Sequence, residues 1–168
     1  MPSSSSFDIT SSVDFQEVDN ALNQARKEIG QRYDFKGATA TIELSTAEKT
    51  LTLTADDEMK MNAMWEIVQT RLVRRGVAVK NFKAGDSEPS AGGAVKRVVT
   101  IQQGISTEAA KDIVKFLKDA KLKKVNATIQ ADQVRVSSPS KDELQSAMSA
   151  LRGHDFGVAL QFGNYRSS

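Results

Sequence analysis

One succession of hydrophobic periods runs twice along this chain of 168 residues. A chain that repeats its own pattern is constrained to build the same small unit twice. In the first half, Phe7, Ile9 and Val13 fall on one face of a strand, with period two. Asp14 and Glu17 have the spacing of a capping box at a helix start, and Val18, Ala21, Leu22, Ala25 and Ile29 form one apolar stripe. Ala38, Ala40, Ile42 and Leu44 alternate again. A turn at 45–49 leads to Thr50-Leu51-Thr52-Leu53-Thr54, a β-branched strand. Asp56 is the expected N-cap of a second helix with the stripe Met61, Met64, Trp65, Val68 and Leu72. Gly76 stops that helix, and Val77, Val79 and Phe82 begin a fourth strand.

The second half repeats the order. Val95, Val99 and Ile101 open it, and a helix starting near Ser106 carries Ala109, Ile113, Phe116, Leu117 and Ala120. Ala127 and Ile129, a tight turn at Ala131-Asp132, then Val134 and Val136 make a hairpin. Ser140 and Glu143 cap a last helix with Leu144, Ala147, Met148 and Leu151. Gly153 ends it, and Val158, Leu160 and Phe162 form the final strand. Each half therefore reads β-α-β-β-α-β. The expected fold is α+β, with two tandem domains, each a four-stranded antiparallel sheet carrying two helices on one face. The segment 83–93 has no apolar period and reads as a linker, so the expected domains are 1–82 and 94–168. Similar halves can exchange an edge strand, which makes that cut its weakest feature.

Several chemistries are excluded by composition. Without cysteine there is no disulfide, thiolate metal site or cysteine nucleophile, and a single histidine, His154, does not make a triad or a multi-histidine site. His154, just past Gly153, reads as a helix C-terminal contact. No phosphate loop, dinucleotide fingerprint or metal-ligand spacing occurs, so no cofactor is expected and nothing supports an enzyme. No apolar run is long enough for a membrane span and the start lacks a signal peptide, so the expected location is cytoplasmic. The net charge of +2 divides into −2 over 1–82, −1 over 83–93 and +5 over 94–168, which points to an anionic ligand on the C-terminal half.

Three clusters could hold such a ligand. Arg32, Tyr33, Phe35 and Lys36 interleave rings with cations, as stacking on a base and pairing with its phosphate require. A strand start with its rings in the core fits the same residues. Phe162, Asn164 and Arg166 combine the same functions near the end of the chain, where an edge strand and tail is the alternative. Lys111, Lys115 and Lys118 line one side of a helix, with Lys121 and Lys123 beyond it. With Arg135 they form a candidate phosphate-contacting surface for a nucleic acid, or a solvated helix face. The outward positions of the third strands, Thr50, Thr52 and Thr54 and Gln133, Arg135 and Ser137, lack the aromatics on which RNA recognition motifs stack bases.

The segments Ser6-Phe7-Asp8-Ile9, Arg32-Tyr33-Asp34-Phe35-Lys36-Gly37, Gln103-Gly104-Ile105, Lys118-Asp119-Ala120-Lys121-Leu122-Lys123, Gln130-Ala131-Asp132-Gln133-Val134-Arg135-Val136 and Leu160-Gln161-Phe162-Gly163-Asn164-Tyr165-Arg166 follow one another in an order that resembles the YajQ family of bacterial nucleotide-binding proteins. The sequence departs from that family in extra serines before Phe7 and in the glycine- and serine-rich stretch 83–94. The resemblance implies two ferredoxin-like domains, no catalytic activity, and binding of a purine nucleotide, a cyclic dinucleotide such as cyclic di-GMP, or tRNA. It also implies a transcription regulator as a partner in some members. The readings carried forward are a non-enzymatic nucleotide-binding protein, an RNA-binding module and a protein-interaction adaptor.

Overall fold

The computed structural model describes residues 4–122 and 124–167. In chain order its elements are β1 (Ser5–Thr10), α1 (Phe15–Gln31), β2 (Ala40–Ser45), β3 (Thr50–Ala55), α2 (Glu58–Arg74), β4 (Phe82–Ala84), β5 (Glu88–Pro89), β6 (Val95–Ile101), α3 (Thr107–Asp119), β7 (Asn126–Gln130), β8 (Gln133–Ser138), α4 (Lys141–Arg152) and β9 (Gln161–Ser167). The helix starts follow the capping residues. Asp14 accepts from the N–H groups of Gln16 and Glu17, Ser106 from Ala109 and Ser140 from Glu143. The buried stripe of α1 is Val18, Ala21, Leu22, Ala25 and Ile29, as its spacing predicts. No described helix is long and apolar enough to cross a membrane.

α2 departs from expectation at its start. Asp57, not Asp56, is the N-cap, taking the Lys60 N–H at 2.8 Å, while Asp56 accepts from the Thr39 N–H at 3.1 Å. Ile67 joins the buried stripe, and Trp65 packs against the core only in part. Gly76 ends the helix in the left-handed region, at φ 75°. There the Val77 N–H reaches the Leu72 carbonyl and the Gly76 N–H that of Val73, a Schellman end that a residue with a Cβ would strain.

The chain forms two compact units, and neither matches the expected halves. One draws on Met1–Ser12 and Gln103–Ser168; the other is Val13–Gln102. In the first, here the outer unit, the strand order is β7-β8-β1-β9, antiparallel throughout. In the second, the inserted unit, the order is β2-β3-β6-β4, with β5 also beside β6. Each has the ferredoxin-like strand order, with β1 and β6 holding the same central place in their sheets. The expected cut between 1–82 and 94–168 thus gives way to an exchange of the two opening strands, and these are central strands, not edges. The physical reason is that both strands present the same alternating apolar face. Phe7 and Ile9 are fully buried in the outer core, and Val99 and Ile101 are buried in the inserted one.

The expected linker 83–93 is also built into a sheet. Lys83 and Ala84 pair with Thr100 and Val99, Glu88 and Pro89 with Lys96 and Val95, and the Gly85 N–H meets the Val98 carbonyl at 2.9 Å. Arg97 and the Ser87 hydroxyl both bond to Glu58 at the start of α2. The segment has no apolar period because it contributes backbone hydrogen bonds along an exposed edge, not side chains to a core. The expected fourth strand from Val77 shrinks to Phe82–Ala84, preceded by a 3-10 turn at Val79–Asn81 in which buried Asn81 bonds the Gln102 carbonyl.

A fragment spanning 13–102 contains every strand of its sheet and is expected to unfold in urea in one cooperative transition. A fragment spanning 1–82 lacks β6 and is expected to show none, which circular dichroism would reveal directly. In the full chain, Phe7→Ala is expected to lower the unfolding free energy by about 3–5 kcal/mol.

Candidate functional site

The alternation that sends Phe7 and Ile9 of β1 toward the helices sends Asp8 and Thr10 to the other, helix-free face of the outer sheet. Asp8 stands opposite Arg135 on β8 and Gly163 on β9. Asp8 is only 7% exposed, because two side chains close over it. Arg135 donates from Nε to Oδ1 at 2.8 Å and from Nη2 to Oδ2 at 3.3 Å, and Asn164 donates from Nδ2 to Oδ2 at 2.6 Å.

Asn164 reaches Asp8 because β9 bulges there. The register slips between the pairs Asp8–Gly163 and Ser6–Arg166, and Asn164 takes φ 54°, a conformation asparagine tolerates better than most residues. The same bulge turns Tyr165 to the helix side, where its hydroxyl lies 3.2 Å from the Met148 sulfur and its ring 6.1 Å from that of Phe7. It leaves Arg166 level with Ser6, on the face of Asp8, exposed and without a hydrogen-bonded partner among the described residues.

The hydrogen bond from Arg135 is the main reason the Asp8 carboxyl sits below the ordinary carboxylate range. Burial opposes the shift; the Asn164 bond and the charges of Arg135 and Arg166 reinforce it. The face therefore carries two guanidiniums against one ionised carboxylate.

A concavity of about 360 Å³ continues from this cluster along the same sheet. Thr10 and Gln133, the next same-face positions beyond Asp8 and Arg135, line it together with Ser11, Ser12, Gln103, Gly104 and Asp132. Its walls are tied by the backbone: the Gly104 N–H donates to the Ser11 carbonyl and the Ile105 N–H to that of Asp132. Gly104 lies at φ 85°, and a Cβ there would come within 2.5 Å of the Asp132 carboxylate, so only glycine fits. The Gln161 side chain clamps Ser12 by accepting from its N–H and hydroxyl and donating to its carbonyl. The lining is polar and suits a ligand rich in donors and acceptors.

The residues singled out in the sequence are distributed as follows. Asn164, Arg166 and Arg135 come together around Asp8. Phe162 does not join them; it packs edge-on to Phe7 at 5.7 Å on the helix side, under the Arg152 guanidinium. Arg32, Tyr33, Phe35 and Lys36 lie in the inserted unit, around a 3-10 turn at Tyr33–Phe35, not a strand start. There Phe35 is committed to the core, Arg32 is paired with Asp34 through both Nε and Nη2, and Tyr33 is 88% exposed. Lys111, Lys115, Lys118 and Lys121 are exposed along and just beyond α3, and none makes an ion pair among the described residues. Lys123 lies outside the described residues. The backbone N–H of His154 bonds the last turn of α4, as expected, and its ring joins Phe116 and Phe156, at 4.7 and 4.6 Å, in a cluster of three rings in mutual contact.

Asp8 and the concavity are what sequence reasoning missed. The signal was available: a carboxylate between two core residues of an alternating strand must face away from the helices.

Asp8 also sets a pH dependence. Its folded pKa lies below its ordinary value of 3.8, so the stability it contributes is fully present above that value and is lost as pH falls through the lower folded one. Asp8→Asn is expected to cost about 1–3 kcal/mol at neutral pH and to flatten the loss of stability below pH 4 seen in acid titrations of the parent chain.

The family model described as "Nucleotide-binding protein YajQ-like" matches residues 5–166. A "Nucleotide-binding protein" of Elusimicrobium minutum is 48% identical over 161 residues, covering 96% of this chain and 98% of the relative. One of Acidithiobacillus ferrooxidans is 50% identical over the same shares. One of Carboxydothermus hydrogenoformans is 46% identical over 99% of this chain and all of its own length. With a match that runs from β1 into β9, this chain belongs to the YajQ-like family.

Proposed function

We propose that the chain binds a nucleotide, without converting it, on the helix-free face of the outer sheet. The observation that carries this reading is the pair of guanidiniums, Arg135 and Arg166, set beside the carboxylate of Asp8 at the edge of a polar concavity. Arg135 uses two of its donors on Asp8 and keeps the rest for a ligand, while Arg166 is free to move onto a phosphate. Along a strand, two residues advance about 7 Å, which is the scale separating a phosphate from the base it carries. Phosphate at Arg135 and Arg166 therefore leaves the base over Thr10 and Gln133. Gln103 and Gln133 supply amides there. Asp132 supplies a carboxylate that can accept from two adjacent N–H groups, the pattern guanine presents and adenine does not. A cyclic di-GMP ligand fits this reading best, since it offers two phosphates to two guanidiniums. The names of the relatives support the ligand class.

A second reading rests on a different observation. The exposed row Lys111, Lys115, Lys118 and Lys121, without ion pairs among the described residues, is a surface that could follow an RNA backbone.

Calorimetric titration of the full chain with cyclic di-GMP, GTP and ATP tests the first reading. Heat is expected with the guanine ligands, with affinity reduced by about tenfold or more in Arg166→Ala and base preference relaxed in Asp132→Asn. Absence of heat with all three ligands at millimolar concentration would sink it. For the second reading, replacing Lys111, Lys115 and Lys118 with alanine should weaken tRNA binding and lower its salt slope by about 2–3; an unchanged slope would leave α3 a solvated face.

A further inference from the structure

Beside the lysine row of α3 lies a second concavity, of about 380 Å³, on the helix side of the outer sheet. Asp112, Lys115, Phe116 and Asp119 line it from α3. They are spaced i, i+3, i+4 and i+7, so they share one side of that helix. Lys111, Lys115 and Lys118 occupy the adjoining strip, and Lys115 belongs to both. The turn after α4 supplies the other wall, with His154 and Phe156. Asp155, between them, accepts from the Gly157 N–H at 2.8 Å, and Gly157 lies at φ 85°, so the turn is held by its own residues.

The three rings meet in this concavity. Phe116 lies 4.7 Å from His154 at 31° and 5.4 Å from Phe156 at 89°. His154 is exposed, and both phenylalanines are only half-buried, so ring surface stays open. Open rings beside a row of cations are the combination that single-stranded nucleic acid takes: bases stack on the rings while phosphates follow the charges.

We propose that this concavity receives an unpaired base of a single-stranded RNA whose phosphates lie on the lysine row, and that its carboxylates select the base. This rests on the RNA reading of α3 given above. Asp112 and Asp119 are exposed and have no hydrogen bond or ion pair among the described residues. Their charge repels phosphate, which keeps the backbone outside, on Lys111 and Lys118. An ionised carboxylate only accepts hydrogen bonds. Adenine, cytosine and guanine offer it an exocyclic amino group, whereas uracil presents carbonyl oxygens in that place. The site therefore admits amino-bearing bases and rejects uracil, with the lysines positioning the strand and the concavity reading it.

Fluorescence anisotropy of labelled adenine, cytosine and uracil ribonucleotide decamers with the full chain, at about 50 mM salt, tests the proposal. The adenine and cytosine decamers are expected to bind about tenfold more tightly than the uracil decamer. Asp112→Asn combined with Asp119→Asn introduces amides that donate as well as accept. It should tighten the uracil decamer most and erase the preference. His154→Ala should weaken the adenine decamer about fivefold or more. His154 is the single histidine of the chain, so its ring gives one pair of imidazole proton signals, which should move upfield as the adenine decamer is added. Lys111→Ala combined with Lys118→Ala should weaken all three decamers alike. If that variant binds as the parent does, or if no decamer binds, the RNA reading falls and the base site with it. If the lysines matter but the three decamers bind equally, or the His154 signals stay still at saturation, the base site alone is overturned.

Discussion

β1 carries both sides of the outer sheet. It pairs with β8 along Ser5 to Ile9 and with β9 from Ser5 to Thr10, so removing it would leave a hairpin and a lone strand. Its inward side chains, Phe7 and Ile9, are fully buried and touch the core that α3 and α4 cover. An isolated two-stranded hairpin is marginal in water, which makes this strand the condition for the rest of the unit. β6 has the same duty in the inserted unit, between β3 and β4. The chain meets both demands by taking each central strand from the opening of the other repeat.

The exchange has an electrostatic consequence. It carries Asp8 into the unit that holds the lysines of α3, and Lys96 and Arg97 into the other. The outer unit then has 10 Lys/Arg against 8 Asp/Glu, and the inserted unit 13 against 13. The contrast of −2 and +5 between the linear halves becomes neutral against +2. What remains is local. Asp8 spends its charge holding Arg135 in place, and the bulge at Asn164 brings Arg166 alongside. Anion recognition in this reading rests on two guanidiniums placed by strand register, not on a field spread over a whole domain.

Much of the local structure was legible because local interactions decide it. Asp14, Ser106 and Ser140 cap helices within three residues of themselves, and α1 buries the stripe its spacing describes. Errors arose where neighbours in space outweigh neighbours in sequence. Asp56 and Asp57 are equivalent as N-caps on paper; the Thr39 N–H claims the first and leaves the second to α2. Phe35 and Phe162 looked available for stacking, but each packs on the apolar side of its own unit. Segment 83–93 looked like a linker because edge strands are held through backbone groups, which leave no trace in side-chain pattern.

The sequence by itself determined that there would be two β-α-β-β-α-β sets, where most helices begin, which face of each is apolar, and that the family is YajQ-like. It could not determine which opening strand enters which sheet. Phe7/Ile9 and Val99/Ile101 carry the same period-two signal, and a periodic signal names a face without naming the partner strands. Only the tertiary structure decided that, and with it the pairing of Asp8 with Arg135 and the bulge that adds Asn164 and Arg166. Those contacts join residues more than a hundred positions apart, through hydrogen bonds whose geometry exists only once the register is set.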